Sequence, residues 1–123
     1  MNIPNNLQYT KDHEWVSINN DVATIGITDY AQSELGDIIF IEFPNIGDKL
    51  HSQDALGTIE AVKTVADLFS PIDGAIIEIN KLLENSPENI NNDPYGSGWI
   101  IKIKMNTNDT SHLLSANEYL KII

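Results

Sequence analysis

The side chains of this sequence that could do chemistry are a lysine in an unusual setting, three histidines, scattered carboxylates and one close pair of glycines. Lys63 lies in Gly57-Thr58-Ile59-Glu60-Ala61-Val62-Lys63-Thr64-Val65-Ala66-Asp67, among β-branched and small residues, with the turn Ser70-Pro71-Ile72-Asp73-Gly74 soon after. A lone lysine is ordinarily a solvated charge whose stem lies on apolar surface, and composition alone favours that reading. A Schiff-base lysine is the alternative; it requires a buried pocket that lowers the amine pKa, and no cofactor motif accompanies it. His13, His51 and His112 are not paired at ligand spacing, and H-E-x-x-H is absent, so no metal site is expected. Asp12, His13 and Glu14 are adjacent, and on a strand His13 would point away from both carboxylates. All three histidines read as surface or partly packed residues. Gly96-Ser97-Gly98 completes neither G-x-G-x-x-G nor G-x-S-x-G and reads as a turn. Nothing in the spacing of the 18 acidic residues selects a catalytic pair. Glu14, beside His13, and Asp67, four residues past Lys63, stand out, with solvated surface as their default. No catalytic residue is assigned.

Composition narrows the classes. A chain of 123 residues makes a single domain, 1–123, with room for one core. The longest apolar run, Ile38-Ile39-Phe40-Ile41, is far too short to span a bilayer, and no membrane role is expected. Met1-Asn2-Ile3-Pro4-Asn5-Asn6 has neither a basic stretch nor an apolar segment and does not read as a signal peptide. A cytoplasmic, bacterial protein is expected, ahead of a processed mitochondrial one. With no cysteine, thiolate catalysis, disulfides and iron–sulfur clusters are excluded, so redox chemistry would need a cofactor. All seven basic residues are lysines, and without arginine there are no planar bidentate clamps. A net charge of −11 repels polyanions and excludes nucleic acid as a partner, while favouring basic patches on protein partners.

Short strands with turns between them must position these residues. Glu14–Ile18 and Val22–Ile27 read as a hairpin around Asn19-Asn20, because Asn tolerates positive φ. Thr28 caps a short helix through Leu35 that Gly36 ends. Ile38–Phe43 reads as a buried strand and Gly74–Ile79 as another. Lys81–Tyr95 is Asn-rich and mostly loop, with a helical turn from Ser86 that places Pro87 first. Trp99, Ile101, Ile103 and Met105 alternate with Lys102 and Lys104 as a half-buried strand. Ser115-Ala116-Asn117-Glu118 is a capping box opening a terminal helix. The class is all-β, a sandwich or barrel with small helices at its edges. One segment resists: Leu56, Ile59, Val62, Ala66 and Phe69 fall at helical spacing, with Lys63 and Asp67 as an i,i+4 pair, yet its Thr, Ile and Val content suits strands.

Taken in order, the motifs resemble those of the glycine cleavage system H proteins. These are His13-Glu14-Trp15-Val16, Val22 through Gln32, Leu35-Gly36-Asp37-Ile38, Glu60-Ala61-Val62-Lys63, Ser70 through Asn80, Ile90-Asn91, Pro94-Tyr95, Gly98 through Ile103, and Glu118-Tyr119. The resemblance covers nearly the whole chain. It implies a lipoyl-domain-like flattened antiparallel β-sandwich with short peripheral and C-terminal helices. It also implies that Lys63 sits at a hairpin tip, overruling the helical spacing, and carries lipoate in amide linkage. Biotinyl domains set their lysine between Met residues, whereas Val62 and Thr64 flank it here.

The implied role is that of a non-catalytic carrier whose dithiolane accepts carbon and electrons. A pyridoxal-phosphate glycine decarboxylase loads an aminomethyl group, an aminomethyltransferase passes it to tetrahydrofolate, and an FAD-dependent dihydrolipoyl dehydrogenase reoxidises the arm. A lipoate–protein ligase or an octanoyl/lipoyl transferase attaches it, and the carrier works as a monomer. In the family the arm folds back into a cleft; Glu14 matches an acid that holds the ammonium there, and Asp67 and Ser70 match further positions near the arm. Two departures stand out: Tyr30 replaces a common His, and Ala61 replaces the usual Ser before Val-Lys. The alternative within this class is an H-like octanoyl or lipoyl donor in a lipoate relay. A carboxylate-based hydrolase or lyase and a plain interaction module are the readings from other classes.

Overall fold

The computed structural model describes residues 1–123. In chain order the elements are β1 (Gln8–Tyr9), β2 (Glu14–Asn19), β3 (Val22–Ile27), α1 (Asp29–Leu35), β4 (Ile38–Glu42), β5 (Lys49–Leu50) and β6 (Ala55–Ala61). There follow β7 (Val65–Phe69), β8 (Gly74–Ile79), α2 (Leu82–Asn85), α3 (Asn89–Asn92), β9 (Ile101–Met105) and α4 (Ala116–Leu120). No helix is long and apolar enough to cross a membrane.

Turn chemistry sets the first hairpin. Asn20 takes φ 57°, which a short polar side chain tolerates, and β2 pairs with β3 from Glu14–Ile27 down to Asn19–Val22. Thr28 then accepts the Ala31 N–H through its hydroxyl, and Gly36, at φ 79°, ends α1. The strands assemble into two antiparallel sheets, β1-β2-β3-β9-β8-β5 and β4-β6-β7. Ala23, Ile25, Ile76, Ile101 and Ile103 of the larger sheet and Ile41, Leu56, Ile59 and Leu68 of the smaller share one buried cluster. Each of these isoleucines and leucines contributes about 1.5–3 kcal/mol by leaving water. This is the antiparallel sandwich expected from the sequence. A second cluster of Tyr9, Trp15, Ala116 and Tyr119 ties α4 to β1 and β2, with the Tyr9 and Tyr119 rings stacked at 4.9 Å. The capping box on Ser115 and Glu118 forms as read.

The segment with helical spacing is a β-hairpin. A register shift between Ala55 and Gly57 adds a residue to β6, so the inward side chains Leu56 and Ile59 stand three apart instead of two. That bulge, followed by the tip, mimics a helical period. Gly57 lies so close to the Glu42 carbonyl that a Cβ would meet it at 2.4 Å, so the β4–β6 contact needs glycine there.

Three expectations are corrected. β4 is not buried throughout: a shift between Ile38 and Phe40 leaves Ile39 55% and Phe40 50% exposed. Lys81–Tyr95 holds two single-turn helices, α2 and α3, anchored by buried Leu83 and Ile90. Pro87 precedes the second of them in a Ser86–Asn89 turn. The two-residue strands β1 and β5 carried no pattern long enough to read.

Candidate functional site

Lys63 stands at the tip of the β6–β7 hairpin. Ala61 N–H bonds the Thr64 carbonyl at 2.8 Å to close the turn, and Glu60 pairs with Val65. Val62, Lys63, Thr64 and Val65 are all exposed. The tip is nonetheless held, because Val62 N–H reaches across to the Asp37 carbonyl at 3.0 Å. The i,i+4 pairing of Lys63 with Asp67 does not form: the ion pairs are His51–Asp54, Lys102–Glu78 and Lys104–Asp21. The Lys63 stem lies over Gly36 instead, where a Cβ would sit 3.5 Å from Cε and 3.9 Å from Nζ.

Leu35, next to Gly36, lines a cavity of about 250 Å³. Its other walls are Asp12, His13, Glu14, Ile27, Tyr30, Ala31 and Glu34 on one side and Ile59, Ala66 and Asp67 of the lysine hairpin on the other. Glu14 and Asp67, far apart in sequence, therefore meet across one space. Four carboxylates and no lysine or arginine line it, so a cation fits and an anion does not. A larger hollow of about 350 Å³ around Trp15 and Trp99 has no carboxylate in its walls.

Glu14 is 2% exposed. Thr10 Oγ1 donates to its Oε1 at 2.5 Å and Phe69 N–H to its Oε2 at 3.4 Å. Burial outweighs both bonds and pushes its pKa up to about 7. Glu14 thus keeps its proton to a higher pH than an exposed carboxylate does. His13 corrects the strand-based expectation. It precedes β2 at φ 71°, and its ring turns onto the same cavity as Asp12 and Glu14. Its Nδ1 lies 2.7 Å from Tyr119 Oη, which lies 2.8 Å from Thr28 Oγ1. Burial holds the imidazole below its ordinary pKa despite Asp12 and Glu34 nearby. The Tyr119 phenol is pushed up to about 12, chiefly by burial. Ser70 lies outside this cavity: it is fully buried and donates its hydroxyl to the Ile72 carbonyl at 2.7 Å, bracing the turn after β7.

A family model described as "Glycine cleavage H-protein" matches residues 7–123. This chain belongs to the glycine cleavage H-protein family. The glycine cleavage system H protein of Bacteroides fragilis is 49% identical over 124 residues, covering 100% of this chain and 98% of the relative. That of Staphylococcus epidermidis is likewise 49% identical with the same coverage. The crystal structure of the glycine cleavage system H protein from Mycobacterium marinum superposes with a TM-score of 0.90 at 35% identity, covering 97% of each chain. The fold is accordingly the lipoyl-domain-like sandwich of that family.

Within this H-protein scaffold the departures find places. Tyr30, standing where a His is common, lines the cavity with its ring 5.0 Å from His13, so an imidazole faces the space from the neighbouring position. Ala61 is buried beneath the tip, and a missing hydroxyl there leaves the turn closed. The sequence reading missed Tyr119 and Glu34 as partners of His13. No local signal could have joined His13 to a tyrosine 106 residues away.

Proposed function

We propose that this chain is the lipoyl carrier of the glycine cleavage system, with lipoate attached at Lys63. The observation that carries the reading is the junction of tip and cavity. An exposed, unpaired lysine lies on Gly36, and the residue before Gly36 opens an acidic space floored by Glu14. When attached, a lipoyl group supplies a dithiolane that accepts an electron pair and a carbon fragment.

The chain's own residues present, receive and shield. The hairpin tip exposes Nζ to the enzyme that acylates it. Leu35, Ile59, Ala31 and Ile27 give the cavity apolar walls that would receive the arm's hydrocarbon. Glu14 and Asp67, which line the same cavity, would hold the primary ammonium of the aminomethyl cargo away from water. Arrival of that cation lets buried Glu14 ionise, so charge on the floor appears when cargo is present. The acidic cavity favours the aminomethyl shuttle over a bare octanoyl or lipoyl donor, for which Lys63 alone would suffice.

Catalysis on this reading belongs to the partners: glycine decarboxylase, aminomethyltransferase, dihydrolipoyl dehydrogenase and the attaching ligase or transferase. Tethering raises the arm's concentration at each in turn. On this reading the carrier acts as a single domain and a monomer in the cytoplasm of a bacterial cell; the relatives above come from bacteria. The decisive experiment is intact mass after incubation with lipoate, ATP and a lipoate–protein ligase, followed by aminomethyl transfer to tetrahydrofolate with purified partners. One adduct on wild type, none on Lys63→Ala, and folate-dependent transfer establish the shuttle; an adduct without transfer leaves the relay, and no adduct removes both.

A further inference from the structure

Asn91, on α3, makes three hydrogen bonds that span the end of α1, the connection after it and the start of β4. Its Nδ2 donates to the Gly36 carbonyl at 2.8 Å and to Gln32 Oε1 at 3.0 Å, and its Oδ1 accepts from Ile38 N–H at 2.9 Å. Both donors face oxygens and the acceptor faces an N–H, so only one orientation of the amide satisfies the site. The bonds to Gly36 and Ile38 flank Asp37. They fix the backbone whose carbonyl receives Val62 N–H, one residue before Lys63. They also fix Gly36, on which the Lys63 stem lies. One side chain thus sets both supports of the tip while lying on a different element from it.

We infer that Asn91 is a positioning residue for the arm: through Gly36 and Asp37 it holds the Lys63 tip in the conformation that the acylating enzyme recognises. This rests on the reading of Lys63 as the attachment site. The β4–β6 pairing ends at Ile38–Ala61, so past Ala61 the Val62 N–H to Asp37 bond is what holds the tip to that side, and loss of the strut loosens the tip while leaving the sandwich core in place. If the recognised conformation falls to about a tenth of the population, apparent affinity for the attaching enzyme falls by the same factor, about tenfold, while turnover of the bound complex is retained.

The test compares wild type, Asn91→Ala and, as control, Asn92→Ala, whose side chain is exposed on the same helix. Lipoylation kinetics are measured with lipoate, ATP and a lipoate–protein ligase, and backbone order parameters by NMR. Asn91→Ala is expected to raise KM about tenfold with kcat little changed, and to lower order parameters at Val62–Thr64 from about 0.85 to below about 0.6. β2 and β3 stay rigid, and Asn92→Ala behaves as wild type. If Asn91→Ala does not fold, Asn91→Asp carries the same comparison, since it keeps the acceptor for Ile38 N–H and loses both donors. A variant acylated with unchanged KM, or with an unchanged tip, overturns the role of Asn91 alone. A wild type that takes no lipoyl group overturns the reading of Lys63 and this role with it.

Discussion

The chain contains two comparable hairpins, each with a lysine near its tip, and their lysines are used differently. In the β2–β3 hairpin, Asn20 turns the chain, the Asp21 carbonyl receives Met105 N–H at 2.7 Å, and the Asp21 carboxylate holds Lys104 at 2.9 Å. That lysine comes from a neighbouring strand and is engaged. In the β6–β7 hairpin, Lys63 has no carboxylate partner, and the tip is held through backbone at Asp37. The difference teaches what the attachment proposed at Lys63 would require: a rigid backbone beneath an amine with no competing partner. An ion pair would fix the side chain, whereas a backbone strut fixes its base and leaves the amine free.

The sharpest way to break this comparison is to exchange the lysines' chemistry. Lys63→Arg should abolish the lipoyl adduct entirely, because a guanidinium cannot be acylated in its place, whereas Lys104→Arg should leave one adduct per chain by intact mass. An adduct persisting on Lys63→Arg would show that the amine is elsewhere.

The second prediction concerns the cavity behind the free lysine. Glu14 has its folded pKa raised above the ordinary carboxylate value to about 7. The stability it contributes is therefore full below the unfolded value and lost as pH rises through about 7. Between pH 5 and pH 8 the wild type without its arm should lose about 2 kcal/mol relative to Glu14→Gln, measured by denaturant titration at each pH. The same substitution should speed hydrolytic loss of the aminomethyl cargo by about tenfold, the effect of losing one charged partner. Parallel pH profiles for the two proteins would show that Glu14 does not titrate in that window.

A smaller effect is expected beneath the tip. Gly36 has φ 79°, and a Cβ there would also touch the Lys63 stem. Gly36→Ala should cost about 1 kcal/mol in chemical denaturation and slow lipoylation, while wild-type kinetics in a destabilised variant would separate strain from positioning. The smallest effect belongs to the engaged lysine. Asp21→Ala removes an exposed ion pair, so the thermal midpoint should hardly move, less still at high salt, with lipoylation unchanged.

The two hairpins also differ in how readily the sequence discloses them. Asn19-Asn20 between alternating strands announces the first, and Thr28 and Gly36 bracket α1 as read. The second is hidden, because the bulge at Ala55–Gly57 converts a period of two into a spacing of three, and only resemblance to H proteins placed its tip. The same holds for the cavity. Glu14 and Asp67 were singled out by their neighbours and do meet. Ser70, which only the resemblance places near the arm, has its hydroxyl engaged with the Ile72 carbonyl. His13 escapes the strand pattern because its own positive φ redirects its side chain, and pattern rules assume regular strand geometry. Asn91 appeared only as part of a motif, since its bonds cross 53 to 59 residues.

The larger sheet ends on both sides in strands of only two residues, β1 and β5. A carrier that serves several enzymes collides constantly with other copies of itself. Long open strand borders would let those collisions mature into intermolecular sheets. Two-residue borders offer few free backbone groups of their own to seed one on this sheet.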